Sequence, residues 1–280
     1  MKNRLAVLAL ALLSGMGWAA QMEVDSLVMP ACVERGAQKK PLMPGVALES
    51  GDQVRTGAGA RVYLQMQDGS RIRLGEQTRL HLAKDGQHAN GRLSLEMLQG
   101  SMRLGVPRVL HDLKLRVADL SATVRTGDVW AKSSADVDML GLVEGQALVS
   151  LQGQQLDLNE TMTYIRVERG QSLKPLRGFN LDQLNKWSAE TEIVEGQGAN
   201  IVGGPIWLLL GEFATQQEAL VLYDQLRNNG YAARLQPVGK GAQQRYRVRI
   251  NDFADVDDAR SAAQRLLQAI PAPLAEIRSR

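Results

Sequence analysis

The residue types that carry out catalysis are few in this chain and poorly spaced for it. The three histidines, His81, His88 and His111, form neither an H-x-x-x-H pair nor a comparable metal-ligand spacing. The chain contains no G-x-S-x-G nucleophile motif and no P-loop. Asp136 and Asp138 form an acidic pair within a predicted solvated turn. The sequence therefore predicts a protein that is not an enzyme and that has no cofactor or metal ion.

Two stretches near the C-terminus carry side chains that suit ligand binding. Arg245, Arg247 and Arg249 alternate with other residues, so in a strand the three guanidinium groups share one face. Trp207 and Leu209 alternate in the same way one strand earlier. Aromatic rings stack with sugars, and charged groups form strong hydrogen bonds with hydroxyl groups. The set could bind a carbohydrate or, through Trp207 and Leu209, another protein surface.

These stretches belong to a regular series of strands and helices. A capping box, Thr215–Glu218, begins the first helix, and Asn229-Gly230 ends it. Asp255 caps the second helix, which ends at Pro271. Strands are predicted at 206–213, 231–236, 244–250 and 274–278. The order βαββαβ predicts an α+β module of the ferredoxin-like type, with four strands and two helices on one face.

The same residues resemble the SPOR domain, a bacterial module that binds peptidoglycan, especially glycan strands without stem peptides. The resemblance rests on Leu208–Phe213 for V-Q-x-G-S-F, on Gly230-Tyr231 after the first helix, and on Tyr246–Ile250 for Y-R-V-x-V-G. It implies glycan binding by the open face of the sheet. The chain departs from the family at Leu209 and Glu212, which replace a polar glutamine and a serine.

The predicted peptidoglycan-binding residues are Trp207, Leu209, Glu212, Arg245 and Arg247. In the alternative, the same apolar face, centred on Trp207 and Leu209, docks a protein.

The N-terminal half is organised around the segment 51–82, in which apolar and polar residues alternate as in half-buried strands. A three-residue loop, 67–69, is required to place Leu64 opposite Ile72, and it needs Gly69 in the left-handed region. The outward residues Arg61, Tyr63, Arg71 and Arg73 then form a candidate surface for an unknown partner.

Short strands separated by glycine turns continue to about residue 167. Val54–Gly57 recurs as Val124–Gly127, and 98–100 resembles 143–145. This pattern predicts an all-β domain of stacked units, a β-solenoid or β-roll. Predicted strands include 24–34, 77–82, 92–98, 101–106, 114–118, 123–124, 129–131, 139–143, 147–151 and 162–167.

A succession of motifs resembles the FecR domain over about 26–168. The motifs are Gly51–Gly57, Asp68-Gly69-Ser70, Arg125–Asp128 and Val143–Gly145. They resemble the succession GD-x-V-x-TG, DGS and EG that is typical of the family. The best-known members are transmembrane regulators that pass an iron-siderophore signal to a sigma factor. The sequence shows neither their N-terminal cytoplasmic helical segment nor their transmembrane helix. The resemblance therefore implies the β-fold and export, without sigma-factor control.

The first residues predict a secretory signal peptide. Lys2 and Arg4 precede the apolar run Leu5–Leu13, which is too short to span a bilayer, and small residues follow up to Ala19. We therefore expect a periplasmic protein without a stable transmembrane anchor. Removal of Lys2 and Arg4 lowers the formal charge from +3 to +1, which argues against nucleic acid. Cys32 is the single cysteine, so no internal disulfide forms.

Four segments are expected along the chain. They are a signal peptide at 1–19, a FecR-like β-domain at 20–170, a helix with a flexible linker at 171–204, and a SPOR-like domain at 205–280. Asn180 is the predicted N-cap of the helix, and Trp187 is expected to pack it against a neighbouring domain.

Together these features predict an exported, non-enzymatic envelope protein that binds denuded glycan strands in cell division or in another process of wall growth. The FecR-like domain would serve as a platform for an envelope protein partner or for sensing. The alternative is a periplasmic adaptor whose SPOR-like sheet binds a protein. An RNA-binding sheet is disfavoured because no aromatic residue alternates with Arg245, Arg247 and Arg249 on their face. A secreted hydrolase lacks any supporting motif.

Overall fold

The computed structural model describes residues 22–84, 93–108, 112–174 and 177–280. This part of the chain is mostly β, with twenty strands and three α-helices. The predicted signal peptide, His88 and His111 lie outside the described residues. None of the helices described is both long enough and apolar enough to cross a bilayer.

The N-terminal part contains fifteen strands. In chain order, β1 to β15 are Met22–Val28, Ala31–Arg35, Gln38–Pro41, Ala47–Leu48, Gln53–Thr56, Arg61–Met66, Arg71–Leu74, Arg79–Lys84, Leu93–Val106, Leu113–Val117, Leu120–Ser133, Val137–Leu151, Gln154–Leu158, Thr163–Glu168 and Arg177–Gly178.

The remaining elements alternate between helix and strand. They are α1 (Leu181–Ala189), β16 (Ala199–Ile201), β17 (Ile206–Phe213), α2 (Gln216–Asn228), β18 (Ala233–Val238), β19 (Arg245–Phe253), α3 (Val256–Ala269) and β20 (Glu276–Ser279), with a short 3₁₀ turn at Gly241–Gln243.

The hairpin β6–β7 has the predicted register. Leu64 lies opposite Ile72, and Val62 lies opposite Leu74, so both apolar pairs face the core. Gly69 adopts a φ of +87°, in the region that favours glycine. The hairpin pairs on one side with β1 and on the other with β9.

Three long strands, β9, β11 and β12, connect two layers of sheet. Each of them bends in the middle, and the segments on one side of the bend belong to the first layer, with the strand order β16-β1-β6-β7-β9-β11-β12-β14-β15. The segments on the other side belong to the second layer, with the order β3-β2-β5-β8-β9-β10-β11-β12-β13, in which β9 and β10 are the only parallel pair among the described strands. The apolar side chains of both layers form one buried cluster.

Each long strand bends at a glycine with positive φ. The values are +102° at Gly100, +116° at Gly127 and +106° at Gly145. The prediction of two separate strands in place of each long strand was wrong, because it took these glycines as the ends of strands. Glycine instead lets a continuous strand turn from one layer into the other. The echo between 98–100 and 143–145 coincides with two of these bends.

The predicted first strand, 24–34, was also wrong, since it is two strands in different layers. β1 pairs with β6 and β16, whereas β2 pairs with β3 and β5. Pro30 separates them, and its lack of an N–H group interrupts the ladder of hydrogen bonds. Cys32 in β2 is buried, and burial raises the pKa of its thiol.

The strand β16 joins the N-terminal sheet to the C-terminal sheet. Asn200 lies opposite Leu27 of β1 and opposite Phe253 of β19. The backbone N–H groups of Gly198 and Ala199 donate to Oδ1 of Asp258 at 2.7 and 2.8 Å. The segment predicted to be a flexible linker is therefore joined to α3 by two hydrogen bonds.

Asp258→Ala is expected to loosen this connection. The Asp258 side chain is buried, so its removal leaves two N–H groups unsatisfied and costs roughly 2–4 kcal/mol of unfolding free energy. Amide hydrogen exchange at Gly198 and Ala199 should then be at least about tenfold faster. Asp257→Ala is the matched control, since that neighbouring carboxylate is exposed. Equal exchange rates in the two variants would contradict this role for Asp258.

Candidate functional site

The C-terminal sheet has one face covered by helices and one face without them. Its strand order is β20-β17-β19-β18, and all of its pairs are antiparallel. Leu208, Leu210, Val248 and Ile250 point to the helices and are buried with the apolar residues of α2 and α3. We call the opposite side the open face.

Both helices begin at the predicted caps, and α2 ends before the predicted glycine. Thr215 and Glu218 form both hydrogen bonds of a capping box at the start of α2. Gly230 follows this helix with a φ of +86°. Asp255 caps α3 by accepting the N–H of Asp258. The caps fix where the two helices begin and end, and the apolar residues of both helices pack on one side of the sheet.

Cross-strand pairing places charged residues in rows on the open face. Arg247 lies opposite Glu212 and Gln236, and Arg249 lies opposite Leu209 and Arg234. Because residues directly opposite in a sheet share a face, these side chains project to the same side. The charged residues of the open face are Glu212, Arg234, Arg245, Arg247, Arg249, Asp252, Glu276, Arg278 and Arg280.

Trp207 lies on this face and is engaged by neighbouring side chains. The guanidinium carbons of Arg249 and Arg278 lie 5.0 and 5.7 Å from the centre of its ring. Its indole N–H donates to the backbone oxygen of Ser279 at 3.2 Å. The ring is therefore already in contact with two cations, and its position is held by the edge strand β20.

Leu209, one of the predicted contact residues, is buried on this side of the sheet. Only 1% of its surface is exposed. Its cross-strand neighbours on this face are Arg249 and Glu276, whose long side chains flank it. Long charged side chains cover apolar surface with their stems, and simple alternation does not reveal this effect.

Glu212 and Arg247 form an ion pair with each other. Nε of Arg247 donates to Oε2 of Glu212 at 2.7 Å, and both side chains are partly exposed. Glu212, which stands where the family has serine, is thus paired with Arg247. Arg245 is exposed, and its one hydrogen bond within the described residues goes to the backbone oxygen of Gln244.

Arg249 is one of the residues of this face that the predicted set omitted. Its Nε atom is buried and has no hydrogen-bond partner within the described residues. Burial lowers the pKa of this guanidinium, and the nearby Arg234, Arg280 and Arg247 lower it further. The alternation of arginines in β19 was the available signal, since it places Arg249 beside Arg247 on the same face.

The predicted surface on the hairpin β6–β7 is partly covered by the chain itself. The backbone N–H of Ile193 donates to the hydroxyl of Tyr63 at 2.7 Å. Glu192 lies 3.6 Å from Arg73. Tyr63 and Arg73 are therefore partly engaged by the chain itself, whereas Arg71 stays exposed. Sequence alone does not show which segment returns to cover a sheet.

The helix α1 is held on this sheet by an aromatic cluster. Trp187 stacks on Trp130 with ring centres 4.4 Å apart and planes at 10°. Phe179 and Tyr164 contact the same indole at 4.9 and 5.5 Å. The prediction that Trp187 packs its helix against a domain is confirmed.

Side chains that could ligate a metal ion lie apart in the described residues. No set of three or more histidine, cysteine, aspartate or glutamate side chains in this part of the chain could hold a metal ion. His81 contacts Glu96 at 3.1 Å on the outer face of the second layer.

Comparison with known proteins agrees with the sequence motifs. Residues 52–148 match the family model described as FecR protein, and residues 202–274 match the model of the SPOR domain. A search of curated proteins finds no match.

Two crystal structures of a "putative anti-sigma factor" from Parabacteroides distasonis are similar to this chain, at 14% identity. They give TM-scores of 0.43 and 0.42, over 64% of this chain and 75% of theirs. Such scores do not establish a common fold. From its two family matches, the chain carries a FecR domain followed by a C-terminal SPOR domain, as its motifs indicate.

Proposed function

We propose that this chain is an exported, non-enzymatic protein of the bacterial cell envelope that binds peptidoglycan glycan strands through the open face. The match to the SPOR domain over 202–274 carries this proposal. The helix-free face, with its exposed charged groups, supports it. Both matched families are binding or regulatory domains without catalytic activity, which agrees with a binding role.

We further propose a domain arrangement and a cellular location for this chain. The chain is divided into a signal peptide (1–19), a FecR-like β-solenoid or β-roll domain (20–170), a connecting segment (171–204) and a ferredoxin-like SPOR domain (205–280). Cleavage of the signal peptide leaves a periplasmic protein without a transmembrane anchor. The FecR domain serves as a platform for an envelope protein or for sensing.

The glycan contacts come from side chains that keep free hydrogen-bonding capacity. Arg245 and Arg247 present N–H donors, and Glu212 presents carboxylate acceptors beside them. Trp207 lies at one edge of this group of side chains, with its ring in contact with Arg249. Leu209 is buried beneath Trp207 and Arg249. It supports these two side chains and does not touch the ligand.

Co-sedimentation with peptidoglycan tests the proposal. The chain from residue 20 onward is mixed with intact sacculi and with sacculi stripped of stem peptides by an amidase. We expect it in the pellet with the stripped material. Arg247→Ala should weaken this binding about tenfold, since a hydrogen bond from a charged group is lost and Glu212 is left unpaired.

Arg260→Ala is the control for this experiment. Arg260 lies on α3, exposed, and its ion-pair partner is Asp257 on the same helix. This variant should bind as the parent chain does. Protein that stays in the supernatant with both kinds of sacculi would overturn the proposal and favour the adaptor alternative, in which the same sheet docks a protein.

A further inference from the structure

An open cleft of about 520 Å³ lies beside the bend of β9, away from the open face. The side chains that line it include Arg61, Glu76, Gln77, Ser101, Lys132 and Glu190. Sites for small molecules commonly have volumes of about 300–1,000 Å³. The cleft is therefore large enough for a small molecule, and its walls come from the N-terminal β-domain and from the end of α1.

Segments that are distant in sequence form the cleft. The backbone N–H of Gly75, in the turn between β7 and β8, donates to the backbone oxygen of Ser101 at 2.9 Å. Ser101 lies opposite Lys132 of β11. A Cβ atom at Gly75 would lie 2.7 Å from the backbone oxygen of Glu190, so glycine lets the end of α1 pack directly on this turn. The end of α1 thus forms one wall of the cleft.

The charged groups of the cleft are balanced and keep unused hydrogen-bonding capacity. They are two cations, Arg61 and Lys132, and two carboxylates, Glu76 and Glu190. Nζ of Lys132 donates to the two carboxylate oxygens of Glu190 at 2.8 and 2.9 Å, and an ammonium group has a third donor. Oε2 of Glu76 accepts the N–H of Gly59 at 2.7 Å, and its Oε1 accepts no hydrogen bond within the described residues. The cleft therefore offers donors to an anionic group and an acceptor to a cationic group.

The hydroxyl of Ser101 has no hydrogen-bond partner in the described part of the chain. Ser101 is only 5% exposed, and it borders the cleft. A buried hydroxyl without a partner is costly, so an acceptor placed in the cleft would be stabilising. The exposed side-chain amide of Gln77, which also borders the cleft, offers a further donor and acceptor. These two groups suit a peptide bond, which presents both an N–H and a C=O.

The lining favours a peptide over other common classes of small ligand. No aromatic side chain borders the cleft within the described residues, whereas sugars and nucleobases commonly stack on aromatic rings. A phosphate group would bring further negative charge to a site in which two carboxylates already balance two cations. A peptide with unblocked ends brings one charge of each sign, with amide groups between them.

We propose that this cleft binds a short peptide, about two or three residues long, with an unblocked ammonium and an unblocked carboxylate. Arg61 and Lys132 bind the carboxylate, and Glu76 binds the ammonium. The hydroxyl of Ser101 donates to a peptide oxygen between them. This inference rests on the sensing role proposed for the FecR domain, and it names the class of molecule that is sensed.

Isothermal titration calorimetry with the chain from residue 20 onward tests the inference. The probes are trialanine, N-acetyltrialanine and trialanine amide. We expect trialanine to bind with a Kd below about 1 mM, and each blocked form to bind about tenfold more weakly, since each loses one charge-assisted hydrogen bond. Equal affinity for all three forms, or no binding of trialanine at about 10 mM, would overturn the inference.

Two sources of such peptides are distinguished by chirality. Proteins supply only L residues, whereas the stem peptides of the wall also supply D residues. Trialanine is therefore titrated in its all-L form and in its all-D form. Binding of either form supports the inference, and the form that binds more tightly identifies the source.

A charge variant assigns the effect to the cleft. Glu76→Gln should weaken binding of trialanine about tenfold and leave binding of N-acetyltrialanine unchanged, because only the ammonium contacts Glu76. Glu76 is exposed, so its variant should fold as the parent chain does. Glu160→Gln is the matched control, since Glu160 is also exposed and lies in the turn between β13 and β14. Equal losses on both peptides in Glu76→Gln would overturn the assignment.

Arg247→Ala separates this inference from glycan binding. This variant should bind trialanine as the parent chain does, because Arg247 lies on the open face. A chain that pellets with stripped sacculi but binds no peptide would overturn the inference and leave the proposed glycan binding standing. A chain that binds trialanine but stays in the supernatant with sacculi would overturn glycan binding alone.

Discussion

Gly127→Ala is expected to lower the free energy of unfolding by about 4 kcal/mol, one of the two largest losses that we predict for a single substitution in this chain. Gly127 lies opposite Gly145 where β11 and β12 bend together. A Cβ atom at Gly127 would lie 2.0 Å from the backbone oxygen of Glu144 and 2.7 Å from Cα of Gly145. Backbone atoms cannot rotate away, and the φ of +116° disfavours any side chain.

Thermal unfolding followed by circular dichroism measures this loss. The melting temperature should fall by about 10 °C in Gly127→Ala. Gly153→Ala separates the two causes, since Gly153 has a φ of +82° but a Cβ atom there would meet nothing within 4 Å, and it should cost only about 1 kcal/mol. Gly105→Ala, with open space and no positive φ, should be nearly neutral. A Gly127→Ala variant that melts like Gly105→Ala would contradict the close approach of the two strands.

Trp187→Ala is expected to cost a similar amount, about 4 kcal/mol, because it removes the centre of the aromatic cluster. Trp187 is 6% exposed and contacts Trp130, Tyr164 and Phe179. The cavity left behind would be lined by rings that cannot close it. The first layer would thereby lose the cover that α1 provides.

Two measurements check this effect. The near-ultraviolet circular dichroism of the stacked pair of indoles should disappear, and the melting temperature should fall by about 10 °C. Proteolysis within 179–195 should become faster, since the segment loses its main anchor. Leu181→Ala in the same helix is the control, because Leu181 is exposed and its loss should be nearly neutral. Unchanged melting in Trp187→Ala would contradict the anchoring role of the cluster.

Both substitutions bear on how the open face is presented. The first layer holds β16 through β1, and β16 in turn pairs with β19 of the SPOR domain. The loop after α2 adds a second contact, since the N–H of Ala31 donates to the backbone oxygen of Gly230 at 3.1 Å. The open face is therefore held at a defined orientation to the N-terminal sheet.

The sequence predicted which side chains lie on the open face, but not which of them contact one another. Alternation in β19 correctly placed Arg245 and Arg247 on one face, because strand geometry alone determines which side a residue takes. The burial of Leu209 and the engagement of Trp207 depend on side chains from β19 and β20. Those neighbours are far from Trp207 and Leu209 in sequence, so no local pattern contains them.

The sequence by itself determined the local features: the register of β6–β7, the glycine turn at Gly69, the helix caps and the two families. Each of these follows from residues within one short segment, through φ preferences, alternation and capping hydrogen bonds. Tertiary structure decided the rest. Whether a glycine such as Gly127 ends a strand or bends it depends on which backbone packs against it, and this partner comes from elsewhere in the chain. The rows of arginines and carboxylates on the open face likewise form only when four strands bring residues from separate segments together.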